Sequence, residues 1–156
     1  MRKPSARDSM YRKRVFDADI IELCVRWYIT YRLSYRDLVE MMAERGVQVA
    51  HSTILRWVTR YVPEFVQRWS RFSKAVGTSC RLDETCISIK AKWHYRYRAI
   101  KRRCASMAGF KSFANAAITI AGIELAHRIR KGQFWFGRGR RRRGWSRKAE
   151  WAMALA

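Results

Sequence analysis

The stretch "LSYRDLVEMMAERGVQVAHSTILRWVTRYV" constrains this chain most, because it holds two helical patterns separated by a turn too short to hold anything else. Ser34, with Asp37 three residues on, makes a near capping box. Leu38, Met41 and Met42 then recur at helical spacing before Gly46 stops the segment. A second helix restarts within a few residues. Ser52 or His51 is expected to cap it, Ile54, Trp57, Val58 and Tyr61 to point inward, and Pro63 to open the next segment. Upstream, Asp17 or Asp19 is placed to cap a supporting helix with Ile20, Leu23, Cys24, Trp27 and Tyr28 on one apolar stripe. Three helices in this order match the helix-turn-helix pattern, in which the second member of the pair enters the major groove.

On that second helix Thr53, Arg56 and Arg60 lie three and four apart and share the face opposite the apolar stripe. Such a face reads bases or grips phosphates, although the same pattern also describes an ordinary three-helix bundle with a solvated basic side. Charge favours the first reading. Thirty-four Lys and Arg against twelve Asp and Glu leave +22 on 156 residues, an excess that a polyanionic partner explains. Residues 1–78 carry fifteen basic and eight acidic residues, net +7, whereas residues 79–156 carry nineteen and four, net +15. The aromatic residues sit at core spacings and no RNA-module signature occurs, which disfavours a generic RNA-binding protein.

Cys24, Cys80, Cys86 and Cys104 show no paired close spacing, and His51, His94 and His127 are scattered among them, so reduced, packed thiols are expected rather than a zinc site. No uninterrupted apolar run is long enough to cross a bilayer. The basic start "MRKPSARDSMYRKR" leads into a segment interrupted by Glu22 and Arg26, not into a signal-peptide apolar block. A cytoplasmic, nucleoid-associated protein with no membrane partner is expected.

"PEFVQRWSRFSKAVGTS" continues as a helix with Phe65, Trp69 and Phe72 on one side and dissolves into a linker around Gly77. "RLDETCISIKAKWHYRYRAI" then reads as two strands, Ile87 and Ile89 alternating on the first, a turn at Lys90 to Lys92, and Trp93, Tyr95 and Tyr97 on the return. Asp83 and Glu84 leave opposite faces of a strand, so only one of them can belong to a site. After them the sequence supplies only Glu124, expected to face solvent or pair with Arg128, and Glu150, for which the pattern gives no context. "GFKSFANAAITIAGIELAHRIRKGQ" is a helix capped by Ser112 and apolar almost all round, as expected of one buried on several sides. "FGRGRRRRGWSRKAEWAMALA" is an arginine-dense tail with little pattern, an electrostatic arm.

"YRLSYRDLVEMMAERGVQVAHSTILRWVTRYVPEF" followed by "RLDETCISIKAKWHYRYRAI" resembles the start of the bacterial insertion-sequence transposases of the IS-six group, without a gap from about Phe16 to Ile100. The resemblance implies a helix-turn-helix that recognises terminal inverted repeats. It also implies a ribonuclease-H-like domain whose Asp, Asp and Glu bind magnesium to cut and join DNA, with Asp83 matching the first of those carboxylates. "IKRRCASMAGFKSFANAAITIAGIELAHRIRKGQFWFG" resembles the far C-terminal end of the same family, and Ile100 runs straight into Lys101 where a member would carry the second aspartate and the glutamate. An internal deletion is therefore expected, with resemblance ending after about Gly137.

The expected fold is mainly α with a small β-hairpin: a basic leader over 1–15, a helix-turn-helix module over 16–76, a truncated ribonuclease-H-like remnant over 79–136 and an arginine-rich tail over 137–156. The expected function is binding of terminal inverted repeat DNA, with Ser52, Thr53, Arg56 and Arg60 at the groove and Arg32 and Arg36 near phosphates. Asp83 is an incomplete metal site that does not hold magnesium productively, because the two-metal chemistry needs several carboxylates. Two alternatives stay open: an active transposase completed by other subunits, and a regulatory fragment forming homo-oligomers or mixed oligomers with an intact transposase.

Overall fold

A computed structural model describes residues 10–11, 15–31, 33–73, 110, 112–136 and 146–155, and the backbone of 84–89 and 92–97. The protein is mainly helical. Five helices are described: α1 (Ala18–Thr30), α2 (Tyr35–Ala43), α3 (His51–Ser70), α4 (Phe113–Arg130) and α5 (Arg147–Leu155). Between α3 and α4, β1 (Glu84–Ile89) and β2 (Lys92–Tyr97) pair antiparallel, in register from Glu84 opposite Tyr97 to Ile89 opposite Lys92. Residues 1–9 and 12–14 of the expected leader over 1–15, the linker at Gly77 and the turn at Lys90 and Ala91 lie outside the described residues. Tyr11 of that leader departs from a flexible arm, buried in the core with its ring centroid 5.0 Å from that of Tyr61.

Local chemistry sets the first two helix starts. Asp17 caps α1, its Oδ1 accepting from the Asp19 N–H at 3.0 Å. Ser34 and Asp37 complete a full capping box: the Asp37 N–H donates to Ser34 Oγ at 3.2 Å and the Ser34 N–H to Asp37 Oδ2 at 2.7 Å. Two orphan donors of the helix start are thereby satisfied. The α2–α3 turn depends on Gly46, whose φ of +73° is left-handed; the space around it is open, so conformation rather than crowding calls for glycine there.

The start of α3 departs from expectation. Neither His51 nor Ser52 caps it; Ala50 occupies the N-cap with no side-chain bond, and both polar residues already lie inside the first turn with their side chains exposed. Its end departs as well. Pro63 does not open a new helix but sits inside one continuous helix of 20 residues, on its exposed side. An interior proline costs about 3 kcal/mol. Tyr61, Val62, Phe65 and Trp69 around it are all buried, and fully burying large apolar side chains contributes about 1.5–3 kcal/mol each, so packing wins over the local penalty. Ser112 holds the N-cap position of α4 as expected, without a side-chain bond.

The core is one cluster drawn from all five helices, although no single helix dictates it. In α1 the deepest residues are Ile21, Cys24, Val25, Tyr28 and Ile29; Ile20, Leu23 and Trp27, expected inside, are only half-buried because α1 is covered by both α3 and α4. Leu38 and Met42 of α2 and Ile54, Trp57, Val58 and Tyr61 of α3 are buried as expected. Tyr35 stacks on Tyr28 with ring centroids 4.4 Å apart, fixing α2 on α1. Burial pushes the Tyr35 phenol above its usual range, opposed by hydrogen bonds with Tyr28 and Thr119 of α4.

The sequence groups α4 with the strand pair, whereas in the fold its buried face packs on α1 and α3. Gly122 marks the closest approach: a Cβ there would stand 2.7 Å from Ile29 Cγ2 and 2.9 Å from Val62 Cγ1. The tail also departs from an arm without pattern. Residues 147–155 form a helix that packs on α3, with Trp151 edge-on to Phe65 at 5.4 Å and to Trp69 at 5.3 Å. Glu150, for which residue pattern offers no context, is buried in its first turn. A short apolar patch in a basic segment carries too few residues for a periodic signal, so only the receiving surface on α3 reveals it.

Candidate nucleic-acid interface

The site is built on the N-terminal half of α3. Burial of Ile54, Trp57, Val58 and Tyr61 fixes the rotation of this helix, so the opposite side faces solvent. Ser52, Arg56 and Arg60 are exposed there and Thr53 is half-buried. Arg56 donates to Thr53 Oγ1 at 3.3 Å, which brings two of the expected residues together, and the Arg60 guanidinium lies 5.9 Å from the Tyr61 ring centroid. Arg36 is exposed in the first turn of α2. Arg32 lies outside the described residues. Trp57 is buried, which assigns it to the core rather than to a surface contact.

Arg45, in the turn between α2 and α3, was not among the expected residues. Its guanidinium donates to the Met41 carbonyl at 2.7 Å and lies 4.9 Å from the Trp27 ring centroid, which holds an exposed cation beside the start of α3. A basic residue directly before the turn glycine is the signal that marks it in the sequence. Arg26 is the opposite case. It lies 5.7 Å from the Trp151 ring centroid, and burial pulls its pKa below the usual range, partly offset by Glu22 and Tyr31. That charge serves the α1–α5 contact and not the exposed face.

Asp83 lies outside the described residues. Among the described residues no three His, Cys, Asp or Glu side chains gather as a metal site. The acids that follow Glu84 in sequence are each committed elsewhere: Glu124 is half-buried on α4, and Glu150 is buried on α5. Among the described residues, therefore, no convergent set of carboxylates offers itself to a pair of divalent cations. No helix among the described residues is long and apolar enough to cross a membrane.

Over 90 residues the chain is 48% identical to a transposase for the insertion sequence-like element IS431mec of Staphylococcus aureus strain N315, and to its counterpart in strain MW2. It is 47% identical over the same length to a Staphylococcus aureus transposase for insertion sequence element IS257 in transposon Tn4003. The matched segment is thus similar to insertion-sequence transposases. It covers 58% of this chain and 40% of each relative, so the chain spans about two fifths of the length of the transposases it matches. No family model and no solved structure matches. The chain thus shares sequence with proteins named as transposases, and its described part presents a basic helix face free of core duties.

Proposed function

We propose that this chain is a transposase derivative that binds the terminal inverted repeats of an insertion sequence and does not by itself break or join strands. In this reading α2 and α3 form a helix-turn-helix, and the N-terminal half of α3 lies in the major groove. Ser52, Thr53, Arg56 and Arg60 meet base edges and nearby phosphates, while Arg32 and Arg36 meet the backbone and set register. The observation that carries the reading is the outward Arg56 and Arg60 pair on a helix whose rotation is locked by four buried residues, within a chain of +22 net charge.

The family chemistry calls for magnesium held by an Asp, Asp and Glu set. Asp83 is the first member of that set here, and its partners are absent from the sequence that follows. The chain then acts as a DNA-binding subunit, alone or in mixed oligomers with an intact transposase, in the cytoplasm on the nucleoid.

Fluorescence anisotropy with duplexes carrying the inverted repeats that flank the gene, against scrambled duplexes of equal length, tests the binding. Preference for the repeats, lost in the double variant Arg56→Ala and Arg60→Ala, is expected. Equal affinity for both duplexes would sink specific recognition. Magnesium-dependent nicking that disappears in Asp83→Ala would sink the loss of catalysis.

A further inference from the structure

We infer that the bridge at the C-terminal end of α3 presents Trp135 as a stacking platform for an unpaired nucleotide base, so that the protein grips single-stranded DNA next to the duplex it binds. This rests on the DNA-binding reading above and adds a second ligand class to it. Ser73, just beyond α3, pairs with Phe134 in an antiparallel bridge, and the Trp135 N–H donates to the Phe72 carbonyl at 2.7 Å. The bridge alternates sides as extended backbone must. Phe134 is buried against Trp69, with centroids 4.7 Å apart, and Phe136 packs on Phe72 at 4.7 Å. Trp135 between them is 58% exposed.

Among the tryptophans whose side chains are described, Trp135 is the one mainly in solvent. Two anchored neighbours and a backbone hydrogen bond hold its backbone, so only side-chain rotation remains to be lost on binding. Cations surround the bridge. Arg128 donates to Ser73 Oγ at 2.9 Å, and its guanidinium lies 4.8 Å from the Phe134 ring centroid. Arg71, adjacent to Phe72, and Lys131 are exposed. An aromatic face beside cations is the combination that binds single strands, because every base has a π-face and every linker a phosphate. Bases inside a duplex are stacked already, so the ligand is an unpaired one.

The ten steps from Arg60 to the end of α3 at Ser70 rise about 15 Å, which separates the platform beyond that end from the groove-facing residues by a distance approaching the width of a duplex. Distinct parts of one DNA therefore reach the two sites.

The test uses the full chain with three labelled probes: a blunt repeat duplex, the same duplex with a single-stranded extension of about eight nucleotides, and that single strand alone. The extension is expected to tighten binding about 5- to 100-fold. Trp135→Ala removes that gain and leaves blunt-duplex affinity and melting temperature unchanged, Trp135→Phe keeps part of it, and Arg71→Ala weakens it. Equal affinity for blunt and extended duplexes, or a gain that survives Trp135→Ala, overturns the platform and leaves duplex recognition standing. Binding of the single strand without the duplex keeps the platform and overturns the groove reading; binding of neither probe overturns both.

Discussion

Arg68 of α3 donates a hydrogen bond to the backbone carbonyl of Leu155, 87 residues further along the chain, while its Nε meets Glu64 Oε1 at 3.0 Å. One buried guanidinium thus joins the end of α5 to the helix that carries the candidate interface. The neighbouring contacts are apolar, Trp151 against Phe65 and Trp69.

Arg68→Ala is expected to destabilise the protein by about 1–3 kcal/mol, because it strands a carbonyl that water reaches poorly. Urea unfolding followed by circular dichroism measures this. If the midpoint does not move, α5 is not held through Arg68.

Gly122→Ala sets two effects against each other. Alanine favours a helix interior by about 1 kcal/mol over glycine, but its Cβ would press on branched carbons of Ile29 and Val62 that cannot swing away. Overpacking costs about 1–3 kcal/mol, so a net loss is expected. Val62→Ala in the same chain removes the methyl in the way, and the double variant should lose less than the sum of the single ones. Additive losses would mean that α4 does not approach α3 at this point.

Arg56→Ala and Arg60→Ala, tested singly, should each weaken duplex binding and lower the slope of log affinity against log salt by about 0.9 if each residue contacts one phosphate. A lost preference for repeat over scrambled duplex at unchanged slope would instead assign the residue to a base edge. Both variants should melt with the wild type, since both side chains are exposed.

Cys24 gives the pH dependence a sign. Burial pushes its thiol from 9.0 up to about 11, so the folded protein keeps a proton that the unfolded chain releases first. Its stabilising contribution is complete below pH 9 and is lost as pH rises towards 11. Tyr35, raised by burial, acts in the same direction. Unfolding free energies measured across that interval should fall, and the fall should be shallower in Cys24→Ala. At neutral pH the thiol should react with a disulfide reagent only after denaturant is added.

Residues 79–156 produced alone would expose Ile120, Ile123, Leu125, Ala126 and Ile129, which in the whole chain are buried, with α4 packed on α1 and α3. Aggregation or oligomerisation is expected in gel filtration. A monomer with a cooperative melt would show that α4 finds enough cover without them.

Elements with a local cause follow from the order of residues alone. The Asp17 and Ser34–Asp37 caps need only residues three or fewer apart, and the inward residues of α2 and α3 follow from helical periodicity around each helix. The exposed Arg56 and Arg60 were legible for the same reason, because a face is a matter of spacing. Everything else depends on how the helices pack. Pro63 reads as a boundary because its penalty is local, and it is overruled by Phe65 and Trp69, whose burial depends on residues far along the chain. Helix α4, apolar almost all round, carries no face that names its partner; the close fit of Gly122 to Ile29 and Val62 assigns it to α1 and α3. Trp135 and Trp151 flank one arginine-rich run and look alike in sequence, yet Trp151 completes the core and Trp135 faces water, since burial belongs to the surface that receives a side chain and not to the side chain itself.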